Sequence, residues 1–310
     1  MRGDAYLFCA LRIPTHTHTN MSVQIAVNIV FAIIVVAGIA LAWFWQIAPS
    51  ASARRNEARL QHISARWMYF VAMAIFVVVC GVLLQAAVLA LCKWRYPEFQ
   101  VKSDFGEMIG TGGLGVGVAV SALYARRFLN AMQQFQNTVR ERLTGSAAPS
   151  AAVAPIALSK ILPVGAGVFC IVIVVTQAVS IIWNWLLDRF GVPSGEQDLV
   201  QLFRDEHSPA RLLVMVLIAV VIAPMWEEII FRGALFGYLR TRLPRVLAFM
   251  LPALAFAIVH LNARVFVPLF VLALIHSKAY EHTGRIGVTI VSHALFNLAT
   301  ICAILLGVET

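Results

Sequence analysis

Six side chains in the C-terminal half of this chain have types and spacings that could support bond cleavage by water. Glu227 and Glu228 are adjacent, Arg232 follows them, His260 stands apart, and His293 precedes Asn297 by four positions. On a helix, neighbours point about 100° apart, so the two glutamates cannot share a face, whereas residues four apart do. Glu228 and Arg232 therefore form a local ion pair of supporting character, and Glu227 is left without a partner on its own helix. His293 and Asn297 project together. Two chemistries suit the set. In one, Glu227 is a general base on water, His260 helps to position that water, and His293 with the Asn297 amide stabilises the oxyanion of a tetrahedral intermediate. In the other, Glu227, His260 and His293 hold Zn²⁺ with a water in the open position. The sequence lacks HExxH. The cofactor expectation is zinc or none, and both chemistries stay open.

These residues all fall in long apolar runs. Hydrophobic residues make up 60% of the 310 positions and charged residues 13%, with a mean hydropathy of +0.82. A soluble domain carries about a quarter charged residues, so this composition does not suit a water-solvated surface. Eight apolar segments are read, at 23–46, 67–92, 106–125, 161–187, 209–239, 246–261, 265–280 and 286–306. Crossing a hydrocarbon core takes about 20 helical residues, and the sixth and seventh segments fall short of that. The runs lack strict alternation, which predicts an all-α polytopic membrane helix bundle of about eight transmembrane helices. Trp43, Trp45, Trp67, Trp94, Trp183 and Trp185 lie at segment ends, where indoles favour the interface. An ionisable residue inside such a span is costly and is a functional candidate by default. His260 comes near the outer end of its segment while Glu227 and His293 lie deeper. Either this segment enters at an angle or its boundaries lie elsewhere, and Pro244 and Pro252 suit an irregular helix there.

The formal charge of +9 is distributed unevenly. Loops 47–66, 126–160, 240–245 and 278–285 hold 14 Lys/Arg against three acids, and the opposite side holds nine against ten. The positive-inside rule puts the first set in the cytoplasm and both termini outside. This asymmetry accounts for the basic balance, and no nucleic-acid partner is expected. The chain divides into a polar extension (1–22), three spans (23–145), a small-residue linker (146–160) and a core of five membrane segments (161–310). Residues 196–207 are partly amphipathic and are expected on the membrane surface. Met21 directly precedes the first apolar run and is a candidate start; His16 and His18 in the extension carry no functional expectation. The five scattered cysteines (Cys9, Cys80, Cys92, Cys170, Cys302) form no ligand spacing and are expected as small packing residues. Gly110, Gly112 and Gly115 match GxGxxG but sit inside an apolar segment with no preceding strand. Close helix approach is the better expectation for them.

At these residues the chain resembles the CPBP family of intramembrane proteases, which includes the CAAX prenyl endopeptidases and the bacterial Abi-type proteins linked to bacteriocin processing and self-immunity. The EExxxR motif is matched by Glu227, Glu228 and Arg232, FxxxH by Phe256 and His260, and HxxxN by His293 and Asn297. The resemblance covers about residues 160–306, including the turn from Tyr280 to Gly284. It implies that Glu227 is the catalytic carboxylate, paired with His260 for water activation. His293 and Asn297 would serve the oxyanion, and Glu228 and Arg232 would support. The implied activity is endoproteolysis of a membrane-embedded or lipid-modified protein, or of a peptide precursor, in a lipid setting such as a bacterial inner membrane. Two other readings are carried: a non-proteolytic scaffold or self-immunity protein that keeps the fold, and a proton-coupled carrier using Glu227 and the histidines as a relay. The carrier predicts an internal repeat, and the two halves show none. The first three spans lie outside the resemblance.

Overall fold

A computed structural model describes residues 21–42, 67–144, 155–192 and 198–306. The polar extension up to residue 20, Trp43, Trp45, the 47–66 loop and most of the linker lie outside the described residues. Among the described residues there is no strand. The helices are α1 (Met21–Ala42), α2 (Trp67–Arg95), α3 (Asp104–Thr144), α4 (Ile161–Arg189), α5 (Asp198–Asp205), α6 (Pro209–Leu239), α7 (Arg245–Ile258), α8 (Ala263–Thr283) and α9 (Ile286–Leu305). The protein is an all-α polytopic bundle.

Six helices are long and apolar enough to cross a bilayer: α2, the first 29 residues of α3, α4 with its preceding turn, α6, α8 and α9. Of the others, α1 runs for 22 residues and includes the apolar stretch Ala32–Leu41, and α7 has 14 residues. At 1.5 Å per residue α7 is about 21 Å long, short of a hydrocarbon core of about 30 Å. The short segment expected at 265–280 becomes a 21-residue helix of full spanning length. The expected loop at 126–160 is corrected at its start, because α3 continues without a break to Thr144. Between Gly117 and Gly145 the sequence holds neither Gly nor Pro, so nothing ends the helix where hydropathy falls at Arg126.

Polar contacts tie each end of the bundle. At one end the Ile156 N–H donates to the Thr283 carbonyl at 3.0 Å, and Arg285 Nε donates to the Ile156 carbonyl at 2.8 Å. Arg240, Arg245 and Lys278 gather there on the carboxylate of Glu281, at 2.8, 2.6 and 3.7 Å. At the other end Arg264 pairs with Asp188 at 2.6 Å, and the Trp183 indole donates to the Ala263 carbonyl at 2.7 Å. The loops 240–245 and 278–285, grouped by charge in the sequence, therefore meet at one end with residue 156. The main core joins α4, α6, α7, α8 and α9 around Val172, Phe256, Leu272 and Val288, all fully buried. Helix α5 places Phe203, 1% exposed, in a second core with Met108, Met215 and Ile301. Leu202 beside it packs against the same core.

The glycines of α3 line two faces. Gly110, Gly113 and Gly117 face α2 at Gln85, Val88 and Gly81, whereas Gly112 and Gly115 face α6 at Ile218 and Trp226. α3 is wedged between two helices, tightest at Gly115 and Gly117, the close packing that small residues permit. A Cβ on Gly115 would lie 2.4 Å from Trp226 Cδ1, whereas one on Gly167 of α4 would meet only Leu41 Cδ1, at 3.5 Å. Gly115→Ala is therefore expected to cost about 1–3 kcal/mol by overpacking. Gly167→Ala is expected to hold or raise stability, by up to about 1 kcal/mol from helix propensity. Thermal unfolding in detergent checks both, and equal behaviour of the two variants would refute the wedge.

Candidate active site

Helix α6 is irregular where the chemistry-bearing residues lie. Two π stretches, Ile218–Ile222 and Ile229–Phe236, flank a six-residue α stretch, Ala223–Glu228. Widened turns of this kind free backbone groups and recur at functional sites. Here the Ala223 N–H bonds the Ile218 carbonyl. Pro224 has no N–H to offer, so the Ala219 carbonyl loses its partner within the helix. The Asn297 amide replaces it, Nδ2 donating to Ala219 at 2.8 Å. Asn297 thereby locks α9 onto α6 and keeps a second amide hydrogen.

One turn further on, Glu228 is fully buried, and three groups converge on its Oε1. Arg232 Nη1 lies at 2.9 Å, His276 Nδ1 at 3.1 Å and His293 Nδ1 at 2.9 Å. They come from α6, α8 and α9. An ionised carboxylate only accepts, so both histidines donate through Nδ1–H. This assigns the tautomers: His293 keeps Nε2 for other partners, and His276 Nε2 accepts from Ser292 Oγ at 3.0 Å. His293 Nε2 points to Glu227, 3.7 Å from its Oε2. His293 thus bridges the two adjacent glutamates, which their helix turns to different sides. The Glu227 side chain keeps 14% exposure. It is the more accessible carboxylate.

Phe256 holds the assembly from below. Its ring lies under the Arg232 guanidinium at 4.5 Å, meets Phe231 edge-on at 5.2 Å, and stands 4.9 Å from His260 and 5.9 Å from His293. An aromatic four residues before His260 therefore shields the buried cation and orients the imidazole. His260 lies two residues beyond the end of α7. Its Nδ1–H donates to the Phe256 carbonyl at 2.7 Å, which leaves Nε2 as an acceptor. The next residue, Leu261, has a left-handed backbone with φ of 50°, uncommon for a non-glycine.

The structure thus brings Glu227, Glu228, Arg232, His293 and Asn297 to the contact of α6 with α9. It places His260 at the α7–α8 turn beside Phe256. Sequence reading missed His276 and Ser292. His276 is an ionisable residue in the middle of an apolar run, the signal that marked the others.

Among the described residues, the trio whose donor atoms all lie within 4.8 Å of one another is Glu228, His276 and His293. Their shared oxygen already faces a guanidinium at 2.9 Å, and that fixed cation opposes a divalent ion on the same carboxylate. The trio does not fit a metal. The set expected from sequence, Glu227 with His260 and His293, does not converge at that spacing.

Residues 209–299 match the family model described as type II CAAX prenyl endopeptidase, Rce1-like. The matched stretch contains all six expected site residues and His276. This segment is similar to an Rce1-like domain. The family is one of CAAX-type endopeptidases of the membrane, in keeping with the wider CPBP resemblance and with the bundle of spanning helices. No curated protein and no solved structure is significantly similar to the chain. The Rce1-like domain begins at α6, so α1 to α5 lie outside the match.

Within this domain Arg232 is the fixed counter-charge of the site. Arg232→Met is expected to cost about 3–5 kcal/mol, because it leaves the buried Glu228 carboxylate uncompensated. The double variant Glu228→Gln/Arg232→Met is expected to recover part of that loss. Unfolding in detergent reads both, and a double variant no better than Arg232→Met would count against the charge argument.

Proposed function

We propose that the chain is an intramembrane endopeptidase in which Glu227 activates water for attack on a peptide bond. The observation that carries this reading is His293 bridging the two glutamates, with Nδ1 on Glu228 at 2.9 Å and Nε2 at 3.7 Å from Glu227. That arrangement leaves one carboxylate locked in an ion pair and the other facing an imidazole nitrogen that can pass a proton. In the proposed reaction, water loses a proton to Glu227 and its oxygen bonds to the scissile carbonyl carbon. His293 Nε2 takes up that proton and, while it holds it, donates to the oxyanion together with the second amide hydrogen of Asn297. Collapse of the tetrahedral intermediate breaks the C–N bond, and the proton leaves with the amine. His260 Nε2 accepts a hydrogen bond from the attacking water and holds it beside Glu227.

The substrate class is a membrane-embedded or lipid-modified protein, or a peptide precursor delivered from the bilayer. A shallow apolar groove of about 320 Å³, lined by Trp183, Ile258, Leu261 and Phe266 among others, adjoins His260 and supports an apolar partner entering from the lipid side. The reaction is written without a metal, because the donor atoms of Glu227, His260 and His293 are not gathered at ligating distance.

The test compares newly exposed protein N-termini in membranes from cells expressing the wild type or Glu227→Gln at equal levels. Termini are expected with the wild type and lost, by at least about 100-fold, with Glu227→Gln and with His260→Ala. Identical termini from wild type and Glu227→Gln would overturn the peptidase and favour the non-proteolytic scaffold. A second outcome concerns the metal: purified protein treated with a strong chelator is expected to keep its cleavage rate. Loss of cleavage restored by added Zn²⁺ would instead give Glu227, His260 and His293 to a metal.

A further inference from the structure

The reading above gives a part, in the reaction or in its ion pair, to every ionisable group of the buried cluster except one. His276, in the middle of α8, is 0% exposed, and so are its two partners, Glu228 and Ser292. Its ring stands 5.6 Å from that of His293. Charge balance does not require it, since Arg232 already compensates Glu228 at 2.9 Å. Packing does not require it either, because the residues around it on α8, Leu272, Ala273 and Ala279, are apolar, and an apolar side chain would be cheaper to bury. Yet the imidazole is fully bonded, with Nδ1–H on Glu228 Oε1 at 3.1 Å and Nε2 accepting from Ser292 at 3.0 Å.

What His276 adds is direction. Arg232 reaches Glu228 from the same helix, so this pair alone leaves the carboxylate free to turn about its own side-chain bonds. A donor from α8 pins Oε1 from a second direction, and that same atom receives His293 Nδ1 at 2.9 Å. Ser292, next to His293 on α9, fixes the far side of the His276 ring. The three helices are thereby linked through one oxygen. We propose that His276 is a positioning residue of the active site, holding Glu228 against His293 so that His293 Nε2 faces Glu227. This rests on the peptidase reading. It resembles the outer hydrogen bonds that orient a working histidine in other enzymes, whose removal costs about 10- to 100-fold.

An amide can replace either end of an imidazole. In His276→Asn the amide nitrogen falls near the former Nδ1 and can still donate to Glu228. In His276→Gln the amide reaches the former Nε2 position and keeps contact with Ser292 only. The full-length chain in detergent is assayed on a peptide spanning a cleavage site revealed by the Glu227→Gln comparison. His276→Gln is expected to lose about 10- to 100-fold in kcat with KM within about twofold. His276→Asn is expected to stay within about threefold of the wild type in kcat. Equal losses in the two variants, tracking a shared fall in melting temperature, would make His276 merely structural. An unchanged kcat in His276→Gln would overturn the proposal outright. Absence of any Glu227-dependent cleavage would sink the peptidase reading by itself. Positioning is then decided by the ¹⁵N shifts of His293 in the same preparations. The Nδ1–H form kept in wild type and His276→Asn but lost in His276→Gln would uphold it, and identical shifts in all three would overturn it.

Discussion

A carboxylate taken wholly out of water is the constraint on which the rest of this site depends. Desolvating Glu228 costs several kcal/mol, and it is tolerated only where opposite charge and hydrogen bonds replace the lost water. The replacement comes from Arg232 on the same helix and from two imidazoles on α8 and α9. Because the guanidinium and the two imidazoles meet at one oxygen, the three helices cannot shift independently without stranding a buried charge. Phe256 on α7 closes the remaining side by covering the guanidinium with its ring. The arrangement also separates the roles of two adjacent glutamates. The 100° step along the helix gives Glu228 to the protein interior and leaves Glu227 at the edge, where it meets only the far nitrogen of His293.

The same logic governs the backbone. In a bilayer a carbonyl without a donor is costly, so an irregular helix survives only where a side chain takes over the lost bond. Pro224 and the π stretch before it free the Ala219 carbonyl, and Asn297 repairs it. Asn297 is therefore structural and available for chemistry at once, because its amide carries two hydrogens and the repair uses one. Trp226, immediately before Glu227, presses on α3 where Gly115 leaves room for the indole. The N-terminal helices lie outside the Rce1-like domain, yet α3 contacts the short α stretch that carries the glutamates. This is one physical account of why they accompany the domain.

Much of this was legible from the order of residues. The length of the apolar runs located α2, α4, α6, α8 and α9 to within a few positions, since hydropathy and spanning length are properties of a single segment. The four-residue spacing of Glu228 and Arg232 placed them on one face, and the structure has them 2.9 Å apart. Residues 126–144 were read as loop because polarity rises there. Helix continuation, however, depends on the absence of breakers, and the first arrives at Gly145. His276 escaped notice for a different reason. No charged residue lies three or four positions from it on α8, and its partners are 48 and 16 residues away in sequence. Only the packing of three helices brings them together. The π stretches likewise have no pattern of their own beyond Pro224.

The short α7 resolves the awkward position of His260. Read as a full span, the segment would leave His260 stranded at the outer face, away from glutamates buried deeper. At about 21 Å, α7 is shorter than a hydrocarbon core of about 30 Å. The turn after it is held beneath the end of α4, where Trp183 bonds Ala263 six residues before α4 ends at Arg189. That contact therefore lies about 9 Å along α4 from its end. His260 lies next to Leu261 of the apolar groove, and the polar contact of Arg264 with Asp188 follows a few residues on. A reaction that joins water to an apolar chain needs both to arrive at one place. In the proposed reaction that place would be the end of α7, where His260 adjoins the apolar groove.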